Sequence, residues 1–511
     1  MMHRRLFTVS FEDMKKTAIR IISILAFLVL LFGAVLLAGR LVERKDSAEK
    51  NGSYFALADK VDVLLLGSSH MINGINPALL YEDYGIAAYN LGGHGNTMQV
   101  TYWEFVNALD YGTPSYVVID TYLLDKDYQY LDVMTEQNSD EDRSAAVDQL
   151  HEVLDAFPMS RNKEAAITDL ISDRELRWEF RLDFIRYHSR WSSLEQADYE
   201  GVFGEPTGDS ILGASMRYEV DPDVETYANI DPSDKMEEGT VGKTYLRRIL
   251  DLCKEKGIYV MLVQVPFEAN EDLQRVANSA QDIADEYGIP YLNMNFVENL
   301  IDPGTDQQSQ THLNALGAAK TTAWLGNVLS TEVGVPDRRG NAEYEAWEEA
   351  LQTYHQQVVD HVLNPTDLYA ELMALNFNDV STIIFINNDS VAFYDESLKR
   401  FIKNLSGTDG IETMADSPLG YCLIHDPATG TNEETTSDVP LTDIQTSFGV
   451  VNFTSLENYD LLSVGDNLDE NQLDYVNNSE IDVQILVYDP NTGEKIGHLF
   501  FSDGGLLQMG K

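Results

Sequence analysis

Residues 61–77 read VDVLLLGSSHMINGINP, in which an apolar run leads directly into a glycine and two adjacent serines. An apolar run of this length that stops at a glycine is typical of a strand buried in a parallel sheet. Open α/β sheets bind their ligands at the carboxyl ends of such strands. The stretch therefore predicts that Ser68 and Ser69 lie at a ligand-binding edge, although serines here are equally suited to cap the next helix.

Strand-like and helix-like segments alternate after this stretch. The strand-like segments YVVIDTY, IYVMLVQVP and IPYLNM are separated by helical patterns such as KTYLRRILDLCKEKG and LQRVANSAQDIADEYG. This alternation predicts an α/β fold, a parallel-sheet three-layer domain over residues 61–335 with helices on both faces. An acidic, mostly helical insertion at 125–240 interrupts the domain. We expect it to be a lid or substrate platform over the carboxyl edge, or a helical subdomain without a role in the site.

The remainder of the chain changes character after the sheet domain. A helical connector is predicted at 341–376, followed by a β-rich module at 377–511 with short runs such as VSTIIFIN, LGYCLIHD and VQILVYD. This module contains no cluster of catalytic residue types.

The N-terminus carries an uncharged segment of nineteen residues, IISILAFLVLLFGAVLLAG, at 21–39. A bilayer requires a helix of about 20 apolar residues, and Leu36 and Ala38 make a poor signal-peptidase site. The sequence predicts a single-pass membrane protein with a cytoplasmic tail at 1–20, an anchor at 21–39, a polar stalk at 40–60, and the bulk of the chain outside the cell.

Composition excludes several other functions. Thirty-five Lys and Arg against 84 Asp and Glu give a net charge of −49, which would repel a nucleic-acid backbone. Cys253 and Cys422 form neither a disulfide framework nor a zinc site, so two free or buried thiols are expected. The sequence has no P-loop, complete dinucleotide fingerprint or H-E-x-x-H spacing. We therefore predict neither a metal nor a cofactor.

Two further motifs follow predicted strands and carry chemistry. NLGGHGNT at 90–97 is a glycine-rich turn whose N–H groups can face an oxyanion. THLNALG at 311–317 places His312 on a loop just before a helix. A histidine there can serve as the base that a serine hydroxyl needs to become a nucleophile.

With these three pieces in this order, the chain resembles the SGNH (GDSL-like) hydrolases. Gly67-Ser68-Ser69 matches their Gly-Asp-Ser block, with Ser68 in place of the aspartate, and the other two motifs match their second and last blocks. The resemblance implies that Ser69 is the nucleophile, His312 is the base, and the N–H groups of Ser69 and Gly95 form the oxyanion hole. It implies supporting roles for the matching residues Asn90, Gly92, Asn96 and Asn314.

The sequence departs from that family at two points. The asparagine that should follow YVVIDTY is replaced by Leu123-Leu124-Asp125, and the aspartate three residues before the histidine is replaced by Ser309. Asp306 is the nearest substitute for an orienting carboxylate, and Asp120, at the end of a strand, is a second candidate. Without such a carboxylate the tautomer of an imidazole is poorly fixed.

The resemblance covers roughly residues 20–330 and is strongest to a membrane-anchored, Gram-positive branch. Proteins of that kind serve alginate O-acetylation and teichoic-acid D-alanylation beside a membrane-bound O-acyltransferase. This implies an acyltransferase or esterase that modifies a cell-surface polysaccharide. The departures leave open a non-catalytic cell-envelope assembly or glycan-binding protein. The C-terminal module is similar to the interleukin-like EMT-inducer domain in circularly shifted order, which implies contact with carbohydrate.

Three more side chains are candidates for substrate contact. His70 and His94 lie next to the predicted site as alternative bases or substrate contacts, although the position of His70 predicts a side chain that points away down the helix. The insertion closes with Tyr187-His188-Ser189-Arg190-Trp191. Here Arg190 either holds an anionic or sugar group, or the segment packs against the sheet domain.

Overall fold

The computed structural model describes residues 11–43, 53–134, 137–203, 211–387, 390–416, 420–436, 444–446, 448–455, 460–464, 481–489, 492–502 and 505–507. The described residues divide into two compact units. The first unit lies within Met1–Phe55 and Tyr128–Asp209, and the second within Ala56–Asp127 and Ser210–Lys511. Residues 128–209 of the predicted insertion therefore group with the N-terminal helix, whereas residues 210–240 belong to the second unit.

The described helices include, in chain order, α1 (Phe11–Val42), α2 (Ser69–Gly74), α3 (Pro77–Tyr84), α4 (Met98–Ala108), α5 (Asp140–Leu154), α6 (Arg161–Leu170), α7 (Asp183–Tyr187), α8 (Gln196–Phe203), α9 (Val241–Lys256), α10 (Glu271–Tyr287), α11 (Ala315–Val328), α12 (Glu345–Leu363), α13 (Leu368–Leu375) and α14 (Glu396–Ser406). Several of their ends carry the expected caps. For example, the Asn76 side chain accepts from the Ala78 amide at the start of α3, and Gly85 ends that helix in the left-handed conformation.

The second unit contains a central parallel sheet of five strands: β1 (Val63–Leu66), β2 (Ala88–Asn90), β3 (Tyr116–Asp120), β4 (Tyr259–Gln264) and β5 (Tyr291–Asn293). Their order is β2-β1-β3-β4-β5, and every neighbouring pair is parallel. β1 is buried along its whole length, as an unbroken apolar strand should be. The predicted α/β class with a parallel sheet is confirmed.

The strand order creates a crevice beside β1. From β1 the chain moves to β2 on one side and then returns to β3 on the other side. Ligands of open parallel sheets bind at such a reversal, beyond the carboxyl ends of the two strands. The residues that follow β1 and β3 therefore lie where the fold favours a site.

A short antiparallel hairpin follows β5 and leads into α11. It consists of β6 (Gln307–Ser309) and β7 (His312–Leu313). Leu325 and Val328 of α11 join the hydrophobic core of the parallel sheet, and Ala315 and Leu316 at its start join the core of the C-terminal part. The hairpin is thus held at the junction of two packed cores.

The C-terminal part contains antiparallel sheets. Its strands are β8 (Ser381–Ile386), β9 (Tyr421–Asp426), β10 (Thr431–Thr436), β11 (Ile444–Thr446), β12 (Gly449–Ser455), β13 (Asp460–Val464), β14 (Val483–Tyr488), β15 (Lys495–Ser502) and β16 (Gly505–Leu507). Six of them form a sheet in the order β10-β9-β8-β14-β15-β16, and β11-β12-β13 form another. Cys422 lies in β9 and Cys253 in α9. Both are buried and unpaired, as expected.

The first unit joins α1 to the described residues between 128 and 203. Within the part of the chain that the structure describes, α1 is the one helix long and apolar enough to span a membrane, over Lys15–Val42. Its last residues, Leu41 and Val42, are buried, and α7, α8 and the 3₁₀ helix His188–Ser192 contact α1.

Arg190 fastens that end of α1. Its Nη1 donates to the carbonyl oxygens of Val42 at 2.7 Å and Glu43 at 2.6 Å, and its Nη2 pairs with Asp198 at 3.0 Å. A cation bonded to the last carbonyls of a helix satisfies groups that have no partner within the helix. The prediction that Arg190 holds a substrate group is therefore wrong, because its guanidinium is already engaged.

Candidate active site

Ser69 is the first residue of α2, immediately after the turn that ends β1. Gly67 makes the turn possible: its φ is +152°, and a Cβ there would lie 2.8 Å from the Cβ of Asp120. Ser68 is the N-cap residue, and its Oγ accepts from the His70 amide at 3.3 Å. Ser68 thus caps the helix, and Ser69 follows it at the carboxyl end of β1.

The His312 ring reaches Ser69 from the β6–β7 hairpin. Its Nε2 lies 2.9 Å from the Oγ of Ser69. The two residues are 243 positions apart in the chain, so only the fold brings them together. A hydroxyl and an imidazole at this distance can exchange a proton directly.

Two hydroxyl groups lie within hydrogen-bond distance of the other ring nitrogen of His312, Nδ1. Its Nδ1 lies 3.0 Å from Thr311 Oγ1 and 3.3 Å from Ser309 Oγ. For Nε2 to accept the Ser69 proton, Nδ1 must carry hydrogen and donate it to one of these hydroxyls. They can orient the ring, but they add no negative charge to stabilise an imidazolium.

Asp306 does not orient His312, which corrects the sequence-based expectation. Its carboxylate is held by Lys320 Nζ at 2.8 Å and 2.6 Å, and it also accepts from the Asp302 amide and the Thr305 hydroxyl. Burial raises the pKa of Asp306, and the Lys320 ammonium opposes that rise. Because these donors engage its oxygens, Asp306 anchors the base of the hairpin while Ser309 and Thr311 contact the ring.

The expected oxyanion donors lie on adjoining turns. Gly93 N–H donates to the carbonyl of Gly67 at 3.2 Å, which ties the glycine-rich loop to the β1 turn. Gly95, two residues later, is exposed and has a φ of +66°. Among the described residues, the amides of Ser69 and Gly95 have no acceptor, so both can donate to a substrate oxygen.

Asn90 and Gly92 shape the loops instead of facing a ligand. Asn90 Nδ2 donates to the carbonyls of Met71 at 2.8 Å and Ile75 at 3.0 Å, and its Oδ1 accepts from the Gly92 amide at 2.9 Å. A Cβ on Gly92 would lie 2.9 Å from the Ile72 nitrogen. The asparagine and glycine therefore lock the second loop against α2.

Asn96 and Asn314 have similar structural roles. Asn96 Nδ2 donates to Glu104 at 3.0 Å. Asn314 caps α11 by accepting from the Gly317 amide at 3.1 Å, and it donates to the Thr305 carbonyl at 2.7 Å. These contacts fix the two loops that carry Gly95 and His312.

Asp120, the second candidate to orient His312, instead lies beneath Ser68. The Ser68 hydroxyl donates to its Oδ2 at 3.5 Å, and the Val265 amide donates to its Oδ1 at 3.2 Å. Burial raises the pKa of Asp120 to about 7, against the opposing effect of its hydrogen bonds. Asp120 supports the turn that presents Ser69, and its oxygens bond to Ser68 and Val265 instead of His312.

Asp120→Asn should make the protein more stable at high pH. The folded state holds the Asp120 proton up to about pH 7, whereas the usual pKa of 3.8 applies after unfolding. The contribution of Asp120 to the free energy of unfolding is therefore fully present below about pH 4 and is lost as the pH rises through about 7. We expect the two proteins to have equal free energies of unfolding near pH 4. At pH 8 the free energy of unfolding of the variant should be higher by about 4 kcal/mol, which a higher melting temperature would reveal. A constant difference between the two proteins across this range would contradict the assignment.

His70 forms an aromatic wall beside His312. Its ring stacks on the ring of Tyr122 and meets the ring of Phe267 edge-on. The distances between ring centroids are 3.7 Å to Tyr122, 4.6 Å to Phe267 and 5.4 Å to His312. Burial, with a smaller effect from His312, lowers the pKa of His70 well below 6.5. The ring does not point away from the site, contrary to expectation, and it is a neutral packing partner of His312.

Arg217 is a cation whose charge acts on His312. Its Nη2 lies 3.5 Å from Nε2 of His94, and its charge adds to burial in lowering the pKa of His312. Within the described part of the chain it forms no ion pair, although most other arginines of the second unit do. This half-buried guanidinium can therefore bind an anionic group brought by a substrate.

Ser309→Asp should restore a carboxylate at Nδ1 of His312 and change the pH profile. Burial and Arg217 lower the pKa of His312 below 6.5, so a rate that needs the neutral base should persist below pH 6.5. A carboxylate would raise this pKa by at least about 1 unit and move the acid limb to higher pH. It would also stabilise the imidazolium, so the rate at pH 8 should rise about tenfold. Ser309→Asn has nearly the same size without the charge, and an equal shift in that control would refute the electrostatic explanation.

A cavity of about 300 Å³ adjoins the aromatic wall. Phe267 lines it, together with Tyr227, Phe296, Asn229 and Asn295. Exposed aromatic rings combined with amide side chains suit a polar ligand with apolar faces, such as a sugar.

Neither a metal-ligand group among the described residues nor a matching family model identifies this site. Among the described residues, no group of three or more His, Cys, Asp or Glu could hold a metal ion. Comparison with protein-family models and with curated proteins finds no match. The fold and the geometry therefore characterise the site: a Ser–His pair at the reversal point of a parallel α/β sheet.

Sequence reasoning missed three residues of this site. Thr311 directly precedes His312, and a hydroxyl in that position could have been expected to contact the ring. Tyr122 follows β3 at the same edge, so its position in the predicted topology also pointed here. Arg217 lies in the last part of the predicted insertion, where no motif marks it.

Proposed function

We propose that this protein is an SGNH-like serine acyltransferase or esterase that acts on esters of a cell-surface polysaccharide. The observation that carries the proposal is the 2.9 Å separation between Ser69 Oγ and His312 Nε2. The three sequence blocks that resemble the SGNH family supply these residues, which supports the same assignment.

The chemistry would proceed through a covalent intermediate. Ser69 Oγ attacks the ester carbonyl while His312 Nε2 takes its proton, and the N–H groups of Ser69 and Gly95 stabilise the oxyanion. The imidazolium then protonates the leaving alcohol, and the acyl group remains on Ser69. Water or a sugar hydroxyl, deprotonated by His312, releases it. The first acceptor makes the protein an esterase and the second makes it an acyltransferase.

The proposed setting is the outer face of a Gram-positive cell membrane. α1 would be a single-pass anchor with the bulk of the chain outside, beside a membrane-bound O-acyltransferase that supplies acyl groups. The cavity lined by Tyr227 and Phe296 would receive part of the glycan, and the C-terminal sheets would contribute carbohydrate contacts.

The test is covalent labelling of the detergent-solubilised full chain with a fluorophosphonate probe. Labelling should be lost in Ser69→Ala and retained in Ser68→Ala, which changes the neighbouring hydroxyl. Binding of a cell-wall polysaccharide by an unlabelled wild-type protein would instead favour the non-catalytic assembly or glycan-binding function on the same fold.

Arg217→Gln should impair substrates that carry a negative charge near the ester. For p-nitrophenyl hemisuccinate, which has a free carboxylate, we expect the variant to raise KM about tenfold, because a charge-assisted hydrogen bond of about 1.5 kcal/mol is lost. KM for neutral p-nitrophenyl acetate should change little. An equal rise in KM for both esters would show that Arg217 acts on the site in general.

A further inference from the structure

We propose that α7, the 3₁₀ helix His188–Ser192 and α8 form a face that lies in the membrane interface beside α1. We call this set the interfacial face. Its ligand is the headgroup and upper acyl-chain region of the bilayer. The proposal concerns the first unit alone and does not depend on catalysis by Ser69.

The first support is where α1 meets the insertion. The apolar segment 21–39 is about 28 Å long as a helix, close to the thickness of about 30 Å of a hydrocarbon core. Among the described residues, Ile21 to Leu37 are all exposed, whereas Leu41, Val42 and Glu43 are buried. Burial therefore begins where a membrane-spanning α1 would leave the hydrocarbon, and the elements that contact its end are held at interface depth.

The second support is the set of apolar side chains that these elements leave exposed. They are Phe184, Ile185, Trp191, Tyr199 and Phe203. Phe184, His188 and Trp191 follow helical spacing, and the Phe184 and His188 rings are 6.2 Å apart. Tyr199 and Phe203 are four residues apart on α8. Such spacing places them on common faces.

The residue types match an interface better than a water-facing surface. Trp and Tyr concentrate at membrane–water boundaries because their rings are apolar and their N–H or O–H groups remain hydrated. Trp178, just before α7, is also exposed, and Arg181 lies 5.0 Å over its ring. A soluble surface seldom gathers so many large exposed rings.

The internal contacts of the unit make this face rigid. Arg190 links the 3₁₀ helix to the last carbonyls of α1 and to Asp198 of α8. The buried Asp155 accepts from Tyr187 at 2.8 Å and lies 2.9 Å from Nδ1 of His151. The exposed rings are therefore held at a fixed position along the axis of α1. The exposed apolar surface of α1 continues into the interfacial face.

The test places an environment-sensitive NBD probe on the full chain in proteoliposomes that contain no other protein. Phe203→Cys carries the probe on the interfacial face, and Tyr394→Cys is the control, because both native rings are 66 % exposed. Wild-type protein treated with the same probe measures background labelling of Cys253 and Cys422, which should be low because both thiols are buried. We expect the probe at 203 to emit at shorter wavelength than the probe at 394. Lipids brominated near the glycerol end of their chains should quench it strongly, and lipids brominated near the chain terminus should quench it weakly.

Two results would overturn the proposal. A probe at 203 that emits like the probe at 394 and resists every brominated lipid would place the face in water. A blue-shifted probe that no brominated lipid quenches would show that protein, such as a second copy of this chain, covers the face. Neither result depends on Ser69, so failure here is distinct from failure of the proposed activity.

Discussion

Removing Ser69 and removing His312 are expected to cause equal and non-additive losses of esterase activity. Ser69→Ala and His312→Ala should each reduce kcat/KM for p-nitrophenyl acetate by about 10²–10⁴, the usual contribution of a positioned general base. The double variant should be no slower than either single variant. Residues that act as one unit lose their function together, because neither can accelerate the reaction without its partner.

The geometry gives the reason for this dependence. Ser69 is a weak nucleophile until His312 Nε2, at 2.9 Å, accepts its proton. The ring is held at Nδ1 only by the hydroxyls of Thr311 and Ser309, so we expect a loss smaller than in sites with an orienting carboxylate. The loss of kcat/KM is measured from initial rates of p-nitrophenyl acetate hydrolysis at pH 7.5. Circular dichroism verifies that each variant is folded.

Ser68→Ala is the matched control for this cycle. It removes a neighbouring hydroxyl that caps α2 and contacts Asp120. We expect lower stability, by about 1 kcal/mol for a lost cap, with most of the activity retained. Additive losses in the Ser69/His312 double variant would mean that the two residues act independently, and the proposed mechanism would then be wrong.

Replacing Lys320 by methionine is expected to have the largest effect on stability. Its Nζ lies 2.6 Å from Oδ2 of Asp306, whose side chain is fully buried. The variant leaves that carboxylate without its cation. Removal of one partner from a buried pair costs about 3–5 kcal/mol, and we expect the low end of that range because Lys320 itself is partly exposed. The melting temperature of the detergent-solubilised chain measures this loss.

The same substitution should also reduce activity. Asp306 accepts from the Asp302 amide and the Thr305 hydroxyl, and the Thr305 carbonyl in turn accepts from Asn314. These bonds hold the base of the hairpin that carries His312. Adding Asp306→Asn to Lys320→Met removes the unpaired charge, so the double variant should recover part of the lost stability.

Lys235→Met provides a closely matched control. Lys235 Nζ also lies 2.6 Å from a carboxylate, but the side chain of its partner Asp282 is 63 % exposed. Exposed pairs contribute about 0–1 kcal/mol. Similar losses from Lys320→Met and Lys235→Met would contradict a burial-dependent role for the Asp306–Lys320 pair.

The sequence predicted the parallel sheet and the residues that converge at its edge. The buried strand before Gly67 and the glycine-rich turn after β2 have clear local patterns, and parallel strands bring their carboxyl ends together. The position of His312 beside Ser69 followed from the same topology. These features depend on periodicity and chain order, which are visible without coordinates.

The contacts that tune the site could not be predicted in the same way. Asp306 was a reasonable candidate to orient His312, but its pairing with Lys320 depends on how α11 packs against the hairpin. Arg190 was similarly ambiguous, since its partners are carbonyls at the end of α1, far away in the chain. In both cases a charged side chain had several candidate partners, and tertiary packing selected one of them.

The most direct measurement is identification of the residue that carries the covalent adduct. The full chain should be treated with the fluorophosphonate probe, digested and analysed by tandem mass spectrometry. We expect a single probe-derived mass increase, on Ser69, in the wild-type chain, and none in the His312→Ala variant treated with the probe under the same conditions. An adduct on Ser68 or on any other residue, or unchanged modification of Ser69 without His312, would contradict this expectation.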